Sequence, residues 1–192
     1  MTRTFIALEK HEAMQRHLER VHRQVAHALP GVRCVDPAGI HLTLAFLGEL
    51  DDEQLAAATQ AAEVAASRCG AFSYRLGQLG IFGSLRQPRV IWMGVDEQSG
   101  MLRRLHQTLE HELVRRGFAV DPRPFSPHLT LARCKAPLGP EEQQQLQRLL
   151  ARQQASSTET YQVRHIEVMK SELFRTGAIY TPLKSCPLGH RR

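Results

Sequence analysis

Apolar positions along the chain follow two rhythms. Met14, Leu18, Val21, Val25 and Leu29 recur every three or four residues, which predicts one face of a helix ended by Pro30-Gly31. Leu102, Leu105, Leu109 and Leu113 predict a second such face, stopping at Gly117. Between them Asp51 is placed to cap a helix, with Gln54 three residues on as its capping-box partner. That alanine-rich helix runs to Gly70, a natural stop. Pro140-Glu141-Glu142 opens a fourth helix, with proline in its first turn.

Shorter apolar runs read as strands. They fall at Thr4–Leu8, Ile40–Leu47, Phe72–Leu79, Arg89–Val95, His128–Cys134, Tyr161–Met169 and Ala178–Leu183. Ile40–Leu47 alternates too weakly for a surface strand and is expected to be buried on both faces. Several strands follow one another with no helix between them, so the class is α+β with antiparallel pairing rather than a doubly wound parallel sheet. No glycine-rich phosphate loop appears, and no linker divides residues 1–192, which read as a single domain. Cys186 to Arg192 read as a loose tail.

One short strand occurs twice. His41-Leu-Thr-Leu-Ala45 and His128-Leu-Thr-Leu-Ala132 lie 87 residues apart, one in each half of the chain, which suggests two related lobes. The looser pattern His-x-Thr is expected by chance at this composition, and a third copy, His106-Gln-Thr108, does occur. That copy lies in a helix, where residues two apart point about 200° from each other. In a strand, by contrast, His and Thr project from the same face while both leucines pack behind. Two such strands facing each other would flank a phosphate with two imidazoles and two hydroxyls. One neutral imidazole could take a proton from water while the opposite imidazolium gives one to a leaving oxygen, without a metal. Thr43 and Thr130, with nearby N–H groups, would stabilise charge on the non-bridging oxygens.

Charge agrees with a phosphate ligand without requiring one. The net charge is +6, and all but 4 of the 25 basic residues are arginines, whose planar fork grips phosphate at two points. An arginine-rich composition can equally reflect a G+C-rich genome. Cys34, Cys69, Cys134 and Cys186 form no C-x-x-C pair and read as reduced thiols of a cytoplasmic protein. No run approaches the length of a membrane span. The first apolar run, Phe5–Leu8, is flanked at once by Glu9 and Lys10, unlike an export signal. The remaining histidines, His106 among them, lack ligand spacing and read as surface or boundary residues, so no metal is expected. Trp92, between Ile91 and Met93, reads as core, and Arg89 and Arg123 as solvated surface arginines. Ser126, fixed between two prolines, lacks a nucleophile elbow.

Four segments carry a family likeness: Arg3-Thr-Phe-Ile-Ala-Leu8, Ile40-His-Leu-Thr-Leu-Ala-Phe-Leu-Gly48, Pro88-Arg-Val-Ile-Trp92 and Arg123-Pro-Phe-Ser-Pro-His-Leu-Thr-Leu-Ala-Arg133. Together they resemble the 2H phosphoesterase superfamily, and within it the bacterial and archaeal RNA 2′,3′-cyclic phosphodiesterases, historically called 2′-5′ RNA ligases. The resemblance implies a bilobal fold of two pseudo-two-fold-related lobes, with the two motifs facing across a central cleft. It implies hydrolysis of an RNA terminal 2′,3′-cyclic phosphate to a 2′-phosphomonoester, with no cofactor. His41 would then be the proton donor, His128 the acceptor, and Thr43 and Thr130 the phosphate holders. The near-identity of the two motifs does not by itself assign the two histidine roles. The family pattern also places a phosphate-contacting arginine at Arg133, although strict alternation puts it on the leucine face unless the strand ends or bulges after Ala132. The expected partner is RNA, the expected state a monomer. The rival readings are 2′-5′ ligation, cleavage of another small cyclic nucleotide or 2′-5′ oligonucleotide, and RNA-end binding without turnover.

Overall fold

The computed structural model describes residues 1–152, 157–175 and 177–189. In its first half the chain forms β1 (Thr2–Leu8), α1 (Glu12–Ala28), β2 (Arg33–Cys34), β3 (Thr43–Leu50), α2 (Asp52–Ser67) and β4 (Phe72–Gly83). There follow β5 (Pro88–Asp96), α3 (Met101–Arg115), β6 (His128–Arg133), α4 (Pro140–Arg152), β7 (Tyr161–Val163), β8 (His165–Phe174) and β9 (Gly177–Pro187). The strands make two sheets, ordered β3-β1-β8-β9 and β2-β6-β5-β4-β7. Every pairing between these strands is antiparallel, so the class is α+β as expected.

The two sheets echo each other. The run β3-β1-β8 in one corresponds to β6-β5-β4 in the other, each with a motif-bearing strand first. Helix α1 follows β1 but packs on the second sheet, against β2 and β6, while α3 follows β5 but packs on α2 and β3. Each lobe therefore lends the other a helix, and α2 and α4 stay with their own sheets. The helices form where their apolar faces allow. Met14, Leu18, Val21 and Val25 are the buried residues of α1, and Leu102, Leu105, Leu109 and Leu113 lie buried on α3. Asp51 accepts the Gln54 N–H at 2.8 Å while the Gln54 side chain accepts the Asp51 N–H at 3.0 Å, completing the expected capping box.

Three expectations change. β3 is not buried on both faces: it is the edge strand of its sheet, Leu44 and Leu50 are buried, and Phe46 is 56% exposed. The stretch from Tyr161 is two strands, because the chain leaves β4 at Val163 and crosses at Arg164 to pair with β1. The tail does not come loose at Cys186. Cys186 and Pro187 close β9 opposite Ile166 and His165, Leu188 is buried, and Gly189 N–H donates to the Ala66 carbonyl at 3.0 Å. Residues 190–192 lie outside the described residues.

Candidate active site

The two motif strands meet at their first leucines. Leu42 and Leu129 form an isolated antiparallel bridge between the lobes, both of them buried. Continuing that register by one residue sets Thr43 across from His128 and His41 across from Thr130. His and Thr of both copies then stand on the face opposite the leucines. Two cavities open there. One, of about 740 Å³, is lined by His41, Thr43, Phe46 and Arg133; the other, of about 890 Å³, is lined by Thr43, Phe46, Phe82, Phe125 and His128. Thr43 and Phe46 belong to both, so they mark where the two halves of one cleft join. Thr130 lines neither cavity and sits instead opposite Trp92 on β5.

Local chain geometry aims both imidazoles in the same way. His41 Nδ1 lies 2.7 Å from the Gly39 carbonyl, and His128 Nδ1 lies 2.7 Å from the Ser126 carbonyl. Each acceptor is two residues upstream. A carbonyl can only accept, so Nδ1 holds the proton and Nε2 is the nitrogen left for chemistry. Upstream of His41, the Asp36 carboxylate accepts the Ala38 N–H at 2.9 Å and caps a single 3₁₀ turn, Pro37–Gly39. Gly39 lets the turn pass close to Tyr180, since a Cβ there would stand 3.0 Å from that ring and push it aside. Upstream of His128, Pro127 biases Ser126 toward an extended backbone.

Each imidazole is also boxed by two aromatic rings. Phe5 stacks on His41 at 4.4 Å and Tyr180 meets it edge-on at 4.8 Å. Phe82 meets His128 edge-on at 4.9 Å and Trp92 lies 6.3 Å away. Burial pushes the His41 pKa down to about 4, and Lys10 pushes the same way while the Gly39 carbonyl opposes them. His41 is thus a neutral imidazole at pH 7 in the free protein, with Nε2 ready to accept a proton.

Arg133 reaches the cleft through a bulge. Ile91 pairs with Ala132 but Trp92 pairs with Thr130, so Leu131 is an extra residue on β6. Leu131 and Ala132 are both fully buried, the alternation restarts, and Arg133 returns to the face of His128. The break comes one residue before Ala132 rather than after it. β3 bulges at the equivalent leucine: Ile6 pairs with Ala45 but Ala7 pairs with Thr43, which leaves Leu44 extra. Phe46 therefore occupies in the first copy the place that Arg133 takes in the second. The Arg3 guanidinium lies 4.8 Å over the centre of the Phe46 ring.

Trp92 is not core. Ile91 and Met93 are buried and Trp92 faces the other way, beside His128. Its indole N–H is buried without an acceptor among the described residues. Gly80 makes room for it, because a Cβ at Gly80 would come within 2.3 Å of the indole ring. Nor is His106 a surface residue. It is 8% exposed, stacks on Phe125 at 3.8 Å, lies 3.5 Å from a Glu110 carboxylate oxygen, and lines the larger cavity. Its spacing four after Leu102 and three before Leu109, on the apolar stripe, is the signal that could have found it. Arg89 and Arg123 are exposed as expected, yet both line that cavity. Arg123 is held by Asp121, whose carboxyl it pulls down to about 2. Among the described residues no three His, Cys, Asp or Glu side chains are gathered as a metal site.

Comparison with known proteins gives a consistent picture. A family model described as the 2′-5′ RNA ligase superfamily matches residues 14–173. A protein of Methanothermobacter thermautotrophicus named RNA 2′,3′-cyclic phosphodiesterase is 29% identical over 95% of this chain and 96% of its own. One of the same name from Aeropyrum pernix is 33% identical over 86% of this chain and 92% of its own. Among solved structures, TT0787 of Thermus thermophilus superposes with a TM-score of 0.81 at 26% identity, covering 99% of this chain and all of its own. E. coli LigT, solved in complex with 3′-AMP, does so with a TM-score of 0.66 at 27% identity, covering 97% and 98%.

Proposed function

The chain belongs to the 2′-5′ RNA ligase superfamily, and from that premise we propose that it hydrolyses RNA terminal 2′,3′-cyclic phosphates to 2′-phosphomonoesters without a metal. The observation that carries the reading is the matched presentation of His41 and His128, each with Nδ1 tied to a carbonyl two residues upstream and Nε2 without a hydrogen-bond partner among the described residues. Relatives that this chain covers almost end to end are named for the same reaction.

Chemistry at the cleft follows from two free Nε2 atoms. His128 Nε2 accepts a proton from a water whose oxygen attacks phosphorus. The bond from phosphorus to the 3′ oxygen breaks, and His41 Nε2–H delivers a proton to that oxygen. The products are a 2′-phosphomonoester and a 3′-hydroxyl. Thr43, Thr130 and Arg133 hold the non-bridging oxygens, whose charge grows as water adds. This division of labour is the one that the family likeness implies.

The proton on His41 has to be acquired, since burial keeps the free imidazole neutral. An anionic phosphodiester in the cleft favours the charged imidazolium and raises its pKa. Substrate thus brings about the protonation that its own cleavage requires. Phe46, exposed at the junction of the two cavities, offers a face on which a nucleobase can stack. The protein acts as a cytoplasmic monomer on this reading.

The reading is tested with a mononucleoside 2′,3′-cyclic phosphate in EDTA, following phosphorus NMR signals. A 2′-phosphate as sole product supports it. A 3′-phosphate would refute the assignment of the leaving oxygen, and activity abolished by EDTA would refute the metal-free mechanism.

A further inference from the structure

The two halves of the cleft differ in charge. In the larger cavity Arg89 and Arg123 are offset by Glu110 and Asp121, and much of the remaining wall is apolar. The smaller cavity holds Arg3, Arg33, Arg133 and Lys135 against a single carboxylate, Asp36. That carboxylate is already engaged at the Ala38 N–H. No ion pair among the described residues holds Arg33, Arg133 or Lys135.

Arg33 and Arg133 stand directly opposite each other where β2 pairs with β6. Like charges in that position repel and destabilise a strand pair. Lys135, two residues beyond Arg133, adds a third positive charge to the same cavity. One cyclic phosphodiester carries one negative charge and balances one of these cations. The surplus leaves the cavity attractive to further anions. Phe174, on the hairpin of β8 and β9, is 52% exposed and lines the cavity beside the charges. Cations interleaved with exposed aromatic rings are the pattern of a single-stranded nucleic-acid track.

We propose that this cavity, between β2, β6 and the β8–β9 hairpin, is a subsite for the upstream phosphates of single-stranded RNA, with Arg33 and Lys135 as its phosphate contacts. It rests on the cyclic phosphodiesterase reading and deepens it: the substrate is a polynucleotide end. The cyclic phosphate sits at the histidine pair, the terminal base lies toward the apolar half, and the chain leaves past Arg33.

The test compares kcat/KM for a mononucleoside 2′,3′-cyclic phosphate and for a hexanucleotide with the same cyclic end. Wild type, Arg33→Gln, Lys135→Gln and the double variant are assayed over a range of salt concentrations. Wild type prefers the hexanucleotide, and the double variant loses about tenfold of that preference. Its mononucleotide rate stays essentially unchanged. Losing two single-strand phosphate contacts flattens the slope of log kcat/KM against log salt by roughly 1.4. Arg33→Lys with Lys135→Arg restores both effects, which excludes a folding defect. Equal losses on the two substrates, or a hexanucleotide preference that survives the double variant, would overturn the subsite. Mononucleotide turnover without hexanucleotide preference removes the subsite alone; wild-type inactivity on both substrates removes the phosphodiesterase reading with it.

Discussion

Leu42 and Leu129 pair across the two lobes as a single antiparallel bridge, and the histidine immediately before each leucine takes its position in the cleft from it. Both leucines are buried, so the bridge is packed as well as hydrogen-bonded. Leu129→Ala is expected to lower stability by about 2–5 kcal/mol. It should also reduce kcat, because the motif strands lose their common reference. Thermal melts and steady-state kinetics check this. A variant that is destabilised but fully active at low temperature would show that the bridge does not align the site.

His41 sits between Phe5 and Tyr180, and its pKa of about 4 follows from burial. In an NMR titration of the free protein, its ring signals should move near that value. With a nucleoside 2′-phosphate bound, the same signals should titrate at higher pH. An unchanged His41 titration in the complex would contradict substrate-linked protonation.

The same burial makes the fold acid-sensitive. His41, His17 and His106 are all held below the ordinary histidine value, with desolvation the largest cause in each. An unfolded chain takes up protons near pH 6.5 that these folded sites refuse. Stability is therefore complete above that pH and falls as the pH drops toward His41's folded value of about 4. Urea midpoints measured from pH 7 to pH 4 should decline throughout that window. His41→Phe, which cannot charge, should flatten the decline.

Gly80 lies beneath Trp92, the single tryptophan of the chain. A methyl group in Gly80→Ala has to displace the indole, with an expected cost of about 1–3 kcal/mol. The shift should appear directly in the tryptophan emission and, through the neighbouring His128, in a lower kcat. An unaltered emission spectrum would mean that the ring does not rest on Gly80.

How much of this is legible in the sequence depends on whether the local rule is the one that wins. Helices α1 and α3 are readable because Met14, Leu18, Leu105 and Leu109 obey helical spacing and the burial follows it. The capping box at Asp51 is readable because it is made within four residues. The paired motifs are readable as a repeat, and strand alternation alone puts His and Thr on one face. Arg133 is different. Its side depends on the bulge at Leu131, and that bulge exists only in pairing with β5, a partner that residues 128–133 cannot reveal. Trp92 looks like core because its neighbours are apolar, yet alternation buries Ile91 and Met93 and turns Trp92 toward His128. Cys186 reads as the start of a tail because nothing local shows β8 waiting beside it. β2, two residues long, has no periodicity to detect, and it is the strand that brings Arg33 opposite Arg133.

The central claim is that His41 and His128 act as one acid–base pair. Its most direct measurement is single-turnover conversion of an RNA ending in a 2′,3′-cyclic phosphate, in EDTA, by wild type, His41→Ala, His128→Ala and the double variant. Each single change should slow the chemical step by about 10²–10⁴, and the double variant should be little slower than the worse single, since the two residues work as a unit. If either single variant retained the wild-type rate while folded, the two-histidine mechanism would be contradicted.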